Sequence, residues 1–155
     1  MKKILAAFSV QFFLCSFLNL SLNAAPAQSN TIGKRALQYT NQFRAQNGRR
    51  ALLWNQDIAD LAYRHSKRMG DGVVPFGHQG FQRRVANFPQ PALAAGENVF
   101  MGTISGDLAR IAVNAWINSP GHRANLLGNY NRCGIGVYQN SKGTWFFTQI
   151  FALFQ

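Results

Sequence analysis

The chain holds three histidines and a single glutamate, and two of those histidines and the glutamate stand beside chain breakers. His78 follows Gly77, Glu97 lies between Gly96 and Asn98, and His122 follows Pro120-Gly121. Glycine next to a polar side chain lets a second backbone or a ligand come close, so the three can converge on one cleft. Two imidazoles and one carboxylate suit a borderline cation such as zinc and leave a coordination position open. His65 differs, because it shares an apolar helical stripe with Leu61 and Met69. There it is either a hydrogen-bonded core residue or a ligand.

His122 has a distinctive local setting. In Asn118-Ser119-Pro120-Gly121-His122-Arg123-Ala124-Asn125-Leu126-Leu127-Gly128, Ser119 reads as an N-cap, Pro120 as the first helical residue and Gly128 as the stop. His122 then sits in the first turn, where the positive end of the helix dipole disfavours an imidazolium and keeps the ring neutral. The plain alternative is a partly exposed surface histidine. Other chemistries leave no trace: there is no HExxH pair, no glycine-rich phosphate loop, no GxSxG elbow and no legible Ser-His-Asp order.

The elements that must position these residues follow from hydrophobic period and punctuation. Ile32, Ala36, Tyr39 and Phe43 recur at helical spacing from Thr31 until Asn47-Gly48. Asn55 caps a second helix whose inward stripe is Ile58, Leu61, Ala62, His65 and Met69, ended by Gly70-Asp71-Gly72. The breaker-rich stretch to Gly80 is loop and carries His78; Phe81 to Phe88 is a short helix closed by Pro89 and Pro91. Ala94 to Met101, with Glu97 and Asn98, reads as a strand. A helix follows, capped by Ser105 or Asp107, with Leu108, Ile111, Ala112, Ala115 and Trp116 on one face. Cys133 to Tyr138 and Thr144 to Phe154 form a hairpin across Asn140-Ser141-Lys142-Gly143. The expected fold is one α+β domain with a small antiparallel sheet.

The N-terminus carries a different signal. Lys2 and Lys3 precede an uncharged stretch from Ile4 to Ala25, with Ala24, Ala25 and Ala27 as cleavage points, so residues 1–25 read as a secretory signal peptide. Gln11, Asn19 and Asn23 dilute the run, which argues against an uncleaved anchor; the exported chain, secreted or periplasmic, then has about 130 residues and no membrane span. Cys15 lies in that segment, so Cys133 has no internal partner and reads as a small buried apolar residue. Loss of Lys2 and Lys3 lowers the formal charge from +11 to +9, a balance that favours anionic surfaces. Arg64, Lys67 and Arg68 share a helical face, and Arg49-Arg50 and Arg83-Arg84 are doublets; the simplest reading of them is a solvated surface. No aromatic residues interleave these charges as a nucleic-acid platform requires, so nucleic acid is not an expected partner.

One set of motifs, in order, resembles a known family. Asn41-Gln42-Phe43-Arg44, Asn47-Gly48, Leu53-Trp54-Asn55, Leu61-Ala62 and His65-Ser66 with Met69 look like the opening of the CAP superfamily (cysteine-rich secretory proteins, antigen 5 and pathogenesis-related proteins), also called the SCP domain. Gly96-Glu97-Asn98-Val99, Ala115 to Leu127, Gly134-Ile135-Gly136-Val137, Trp145 and Thr148-Gln149-Ile150-Phe151 extend the likeness. The match spans residues 31–155 and is most similar to the disulfide-free bacterial branch. It implies a three-layer α-β-α sandwich whose cavity, lined by histidines and acidic residues, binds zinc or another divalent cation in several members. Carried over, His78 and His122 are the metal ligands and Glu97 is the glutamate of the GEN motif. Asn98 and His65 support the cavity, while Trp116, Arg123 and Asn125 are framework. The chain lacks the second cavity glutamate of many eukaryotic members, so a paired-carboxylate mechanism is in doubt. Three functions stay open: a binding module for a lipid, peptide or cell-wall fragment; a metal-dependent hydrolase with Glu97 as base; and an adhesin working through its basic surface.

Overall fold

The computed structural model describes residues 21–155. Its elements are α1 (Ser21–Gln46), β1 (Leu53–Trp54), α2 (Gln56–Gly70), α3 (Phe81–Ala86), β2 (Ala94–Gly102), α4 (Leu108–Ile117), α5 (Pro120–Leu126), β3 (Arg132–Gln139) and β4 (Trp145–Leu153). The strands form one sheet in the order β1-β3-β4-β2. β3 and β4 are the expected hairpin, and β2 pairs antiparallel with β4 along its whole length. The sheet is not wholly antiparallel, however: the two-residue β1 pairs parallel with β3, Leu53 opposite Arg132 and Trp54 opposite Cys133. So short a strand carries no alternation for a sequence reading to detect.

Side chains alternate across the hairpin and so define three layers. Cys133, Ile135, Val137, Phe147 and Phe151 face α1 and α4, packing with Ala36, Leu37, Ala112, Val113 and Trp116. Ile150 and Ala152 point to the other face, against Ile58, Leu61 and Ala62 of α2. Each large apolar side chain buried this way contributes about 1.5–3 kcal/mol. Gly134 and Gly136 permit the second packing: a Cβ at Gly134 would lie 2.2 Å from the Ala59 nitrogen, and one at Gly136 would lie 1.9 Å from the Tyr63 nitrogen. Helix α2 therefore rests directly on the backbone of β3.

Several local expectations need correction. Among the described residues the first helix already runs from Ser21, well ahead of Thr31, and Ser29, which is buried, accepts a hydrogen bond from the Val137 amide at 2.8 Å. The signal-peptide reading falls largely on residues 1–20, outside the described residues. In α4 Ala109, Ala112, Val113 and Trp116 are buried, whereas Ala115 is exposed. Asp107 is its cap, accepting from the Arg110 amide. Ser119 has the extended backbone of a cap residue but makes no side-chain capping bond. Leu127 is the C-cap of α5, which leaves Gly128 at the C′ position expected of it.

Candidate functional site

The site lies along β2, the edge strand of the sheet. Successive residues of β2 face opposite layers, so Glu97 points toward the α2–α3 side and Asn98 toward α4 and α5. Glu97 is buried, and both oxygens of its carboxylate accept hydrogen bonds. Arg84 of α3 donates from Nε to Oε2 at 2.8 Å and from Nη2 to Oε1 at 2.7 Å, a two-pronged pairing. His78 Nδ1 meets Oε1 at 2.9 Å. The Arg84 and Glu97 side chains are only 11% and 2% exposed, whereas His78 is 52% exposed.

Arg84 also fixes the loop that carries His78. Its Nη1 donates to the Gln79 carbonyl at 2.8 Å and its Nη2 to the His78 carbonyl at 3.5 Å. From the other side, buried His65 of α2 donates from Nε2 to the Gly77 carbonyl at 2.8 Å. Burial is the largest influence on His65 and lowers its pKa; the Gly77 carbonyl opposes that shift. His65 thus acts on His78 through backbone. The Glu97 carboxylate accepts from Nδ1–H of His78 and so fixes the orientation of the ring.

Across β2, Asn98 and Asn125 position α5. Asn98 Nδ2 donates to the His122 carbonyl at 3.2 Å and to Gln149 Oε1 at 3.4 Å. Asn125 Nδ2 donates to the Glu97 carbonyl at 3.1 Å and to Asn98 Oδ1 at 3.0 Å. Gln149 passes the network on to Thr40 of α1 at 3.0 Å. The C-terminal end of α5 is held by Arg44, a buried arginine of α1 that donates to the carbonyls of Leu126 and Gly128 at 2.6 and 3.0 Å. Trp116 is buried and donates to the Val99 carbonyl at 3.0 Å. Arg123 is exposed, with its guanidinium over the Phe43 ring at 5.5 Å.

The His122 ring, held on this frame, makes no hydrogen bond among the described residues, and its pKa lies below the ordinary value. Burial is the larger cause and the nearby His78 charge the second. The neutral ring expected from the helix dipole is favoured by desolvation and by the nearby His78. The structure thus brings His78 and Glu97 into direct contact and sets His122 within electrostatic reach of His78.

Two residues essential to this arrangement were not singled out from sequence. Arg44 was noticed only within a motif, and Arg84 was read as half of a solvated doublet. A signal for Arg84 existed: the chain's only glutamate stands in an apolar strand among sixteen basic residues, and a buried carboxylate requires a cation. With both Glu97 oxygens engaged, the donor set does not fit zinc held by two histidines and Glu97. Among the described residues no group of three or more His, Cys, Asp or Glu side chains is placed to hold a metal ion.

With the geometry established, comparisons with known proteins give its ancestry. Residues 37–151 match the model of the cysteine-rich secretory protein family, CAP. The chain belongs to this family. A relative, the uncharacterized membrane protein YlbC of Bacillus subtilis, is 33% identical over 113 residues, which are 69% of this chain and 32% of YlbC. The chain therefore spans about a third of that relative's length. The crystal structure of an extracellular SCP-domain protein from Bacillus anthracis is 29% identical with a TM-score of 0.73, covering 87% of this chain and 44% of that one. An outer surface protein of Borrelia burgdorferi shares the CAP fold at 20% identity and a TM-score of 0.66, over 79% of this chain and 92% of that one.

Proposed function

We propose that this CAP domain is an exported binding module whose ligand meets the imidazoles of His78 and His122 in the cleft beside β2. One observation carries the reading: Glu97, the residue a hydrolase would need as base, has both oxygens tied to Arg84 and His78. A carboxylate so engaged orients an imidazole; it is not poised to take a proton from water. The cleft then offers two imidazoles, suited to hydrogen-bond a peptide, a lipid headgroup or a cell-wall fragment. A divalent cation enters this reading only with most of its coordination supplied by water or by the ligand, because two imidazoles fall short of the three protein ligands of a catalytic zinc site. Export is supported by the apolar N-terminal segment and by similarity to a protein described as extracellular. No helix of the described residues is long and apolar enough to cross a membrane.

The test is calorimetric titration of zinc into wild type, His78→Ala/His122→Ala and Glu97→Gln, beside assays of casein and peptidoglycan cleavage with zinc present. Weak binding that the double histidine variant loses and Glu97→Gln keeps, with no cleavage, is the expected result. Cleavage abolished by Glu97→Gln would replace the binding module with a hydrolase.

A further inference from the structure

The arginines of α2 and α3 also shape a cavity that adjoins the Glu97 site through His65 and Arg84. Between α2, α3 and the loop preceding α3 lies an open cavity of about 450 Å³, lined by Arg64, Arg68, Arg83 and Arg84, with Leu61 and Val74 as apolar wall. Sequence alone suggested that these charges dress a solvated surface. The fold instead gathers arginines from two helices into one concavity. Arg64 and Arg68 are one helical turn apart on α2, and α3 brings Arg83 to face them.

Three of the four are uncommitted. Arg64, Arg68 and Arg83 are exposed, and among the described residues their guanidinium groups donate no hydrogen bond and join no salt bridge. Asp57 and Asp60 line an adjoining depression that shares Leu61, Arg64 and Asn87. Asp60 is engaged by Gln56 Nε2 at 2.8 Å, and neither carboxylate pairs with an arginine. Arg84 is the fixed member, anchored through Glu97. Like charges gathered around one concavity raise its potential and attract an anion. Guanidinium forks match phosphate oxygens in pairs, and a tetrahedral phosphate presents enough oxygens for several forks at once.

We propose that this cavity is a binding site for a phosphate group carried on a partly apolar ligand, received by Arg64, Arg68 and Arg83, with the ligand's apolar portion against Leu61 and Val74. Such a phosphate arrives either on a phospholipid headgroup or on a soluble phosphate ester. Val73 and Phe76, 61% and 46% exposed on the same loop, are the groups a bilayer surface would cover.

The experiment titrates purified protein with inorganic pyrophosphate and, separately, measures co-flotation with phosphatidylcholine vesicles with and without phosphatidylglycerol. Wild type is compared with Arg64→Gln/Arg68→Gln/Arg83→Gln and with Arg49→Gln/Arg50→Gln/Lys142→Gln, which removes equal charge from exposed positions elsewhere. The cavity variant is expected to weaken binding about tenfold or more and the control less than about threefold. Pyrophosphate binding identifies a soluble ester as the source; binding to the anionic vesicles alone identifies a headgroup. Equal losses in the two variants, or no wild-type binding to either probe at physiological salt, overturn the proposal. His78→Ala/His122→Ala should bind both probes as wild type does, which keeps this result separate from the fate of the imidazole cleft.

Discussion

Replacing Arg84 with methionine tests whether the site is organised around the buried Arg84–Glu97 pair. The variant keeps an apolar stem but removes both bonds to Glu97 and the bond to the Gln79 carbonyl. Glu97, with its side chain 2% exposed, is left with His78 as its one side-chain partner. Breaking a buried pair from one side costs about 3–5 kcal/mol. The lower end applies here, because His78 stays in contact and the vacated space opens toward the cavity, where water can solvate part of the carboxylate. About 3 kcal/mol corresponds to a fall in Tm of about 10 °C for a domain of this size. Urea unfolding of Arg84→Met, Glu97→Gln and the double variant completes a thermodynamic cycle. Most of the Arg84→Met loss arises from an orphaned charge, so the double variant should be more stable than the sum of the single losses predicts, with a coupling of about 2 kcal/mol. A loss below about 1 kcal/mol in Arg84→Met, or strict additivity, would show that Glu97 is not dependent on Arg84.

Three further outcomes are expected. Gly136→Ala places a Cβ 1.9 Å from the Tyr63 nitrogen and 2.3 Å from the Ala62 carbonyl carbon, so α2 must lift from β3; urea denaturation should show a loss of about 3 kcal/mol or no cooperative transition. His65, and to the same sign His122, are held below the ordinary value of 6.5 chiefly by burial; the unfolded chain takes up these protons first, so stability is complete above that value and is lost as pH falls through it. Thermal unfolding across this range should show the decline, and His65→Gln should flatten it. Burial pushes the Cys133 thiol up to about 12, so a thiol reagent should leave native protein unlabelled at mildly alkaline pH and label it stoichiometrically in urea.

What could be read beforehand was what repeats along the chain. The α2 stripe, the Asn55 cap, the hairpin and the placing of Glu97 in a strand follow from periodicity and punctuation within a dozen or so residues. What escaped depends on which elements meet. Arg83 and Arg84 are adjacent and chemically identical, yet one binds a buried carboxylate while the other faces a cavity; only the docking of a six-residue helix against β2 decides between them. Gly134 and Gly136 were legible as strand residues, but their reason is the approach of α2. β1 is defined by its partner rather than by its own two residues. His78 and His122 stand out in the sequence because histidine is rare and both sit beside glycine; the arginine that binds Glu97 was hidden among many others.

The manner in which α5 is held has a practical consequence. Asn98 binds the carbonyl of residue 122, Arg44 binds the carbonyls at the end of the helix, and the His122 ring supports none of this frame. Position 122 is therefore a socket whose mounting is independent of what is plugged into it. A carboxylate, a thiol or a stronger chelating side chain can be installed there, within electrostatic reach of His78, while the surrounding backbone keeps its place, so the chemistry presented at this position can be changed by a single codon.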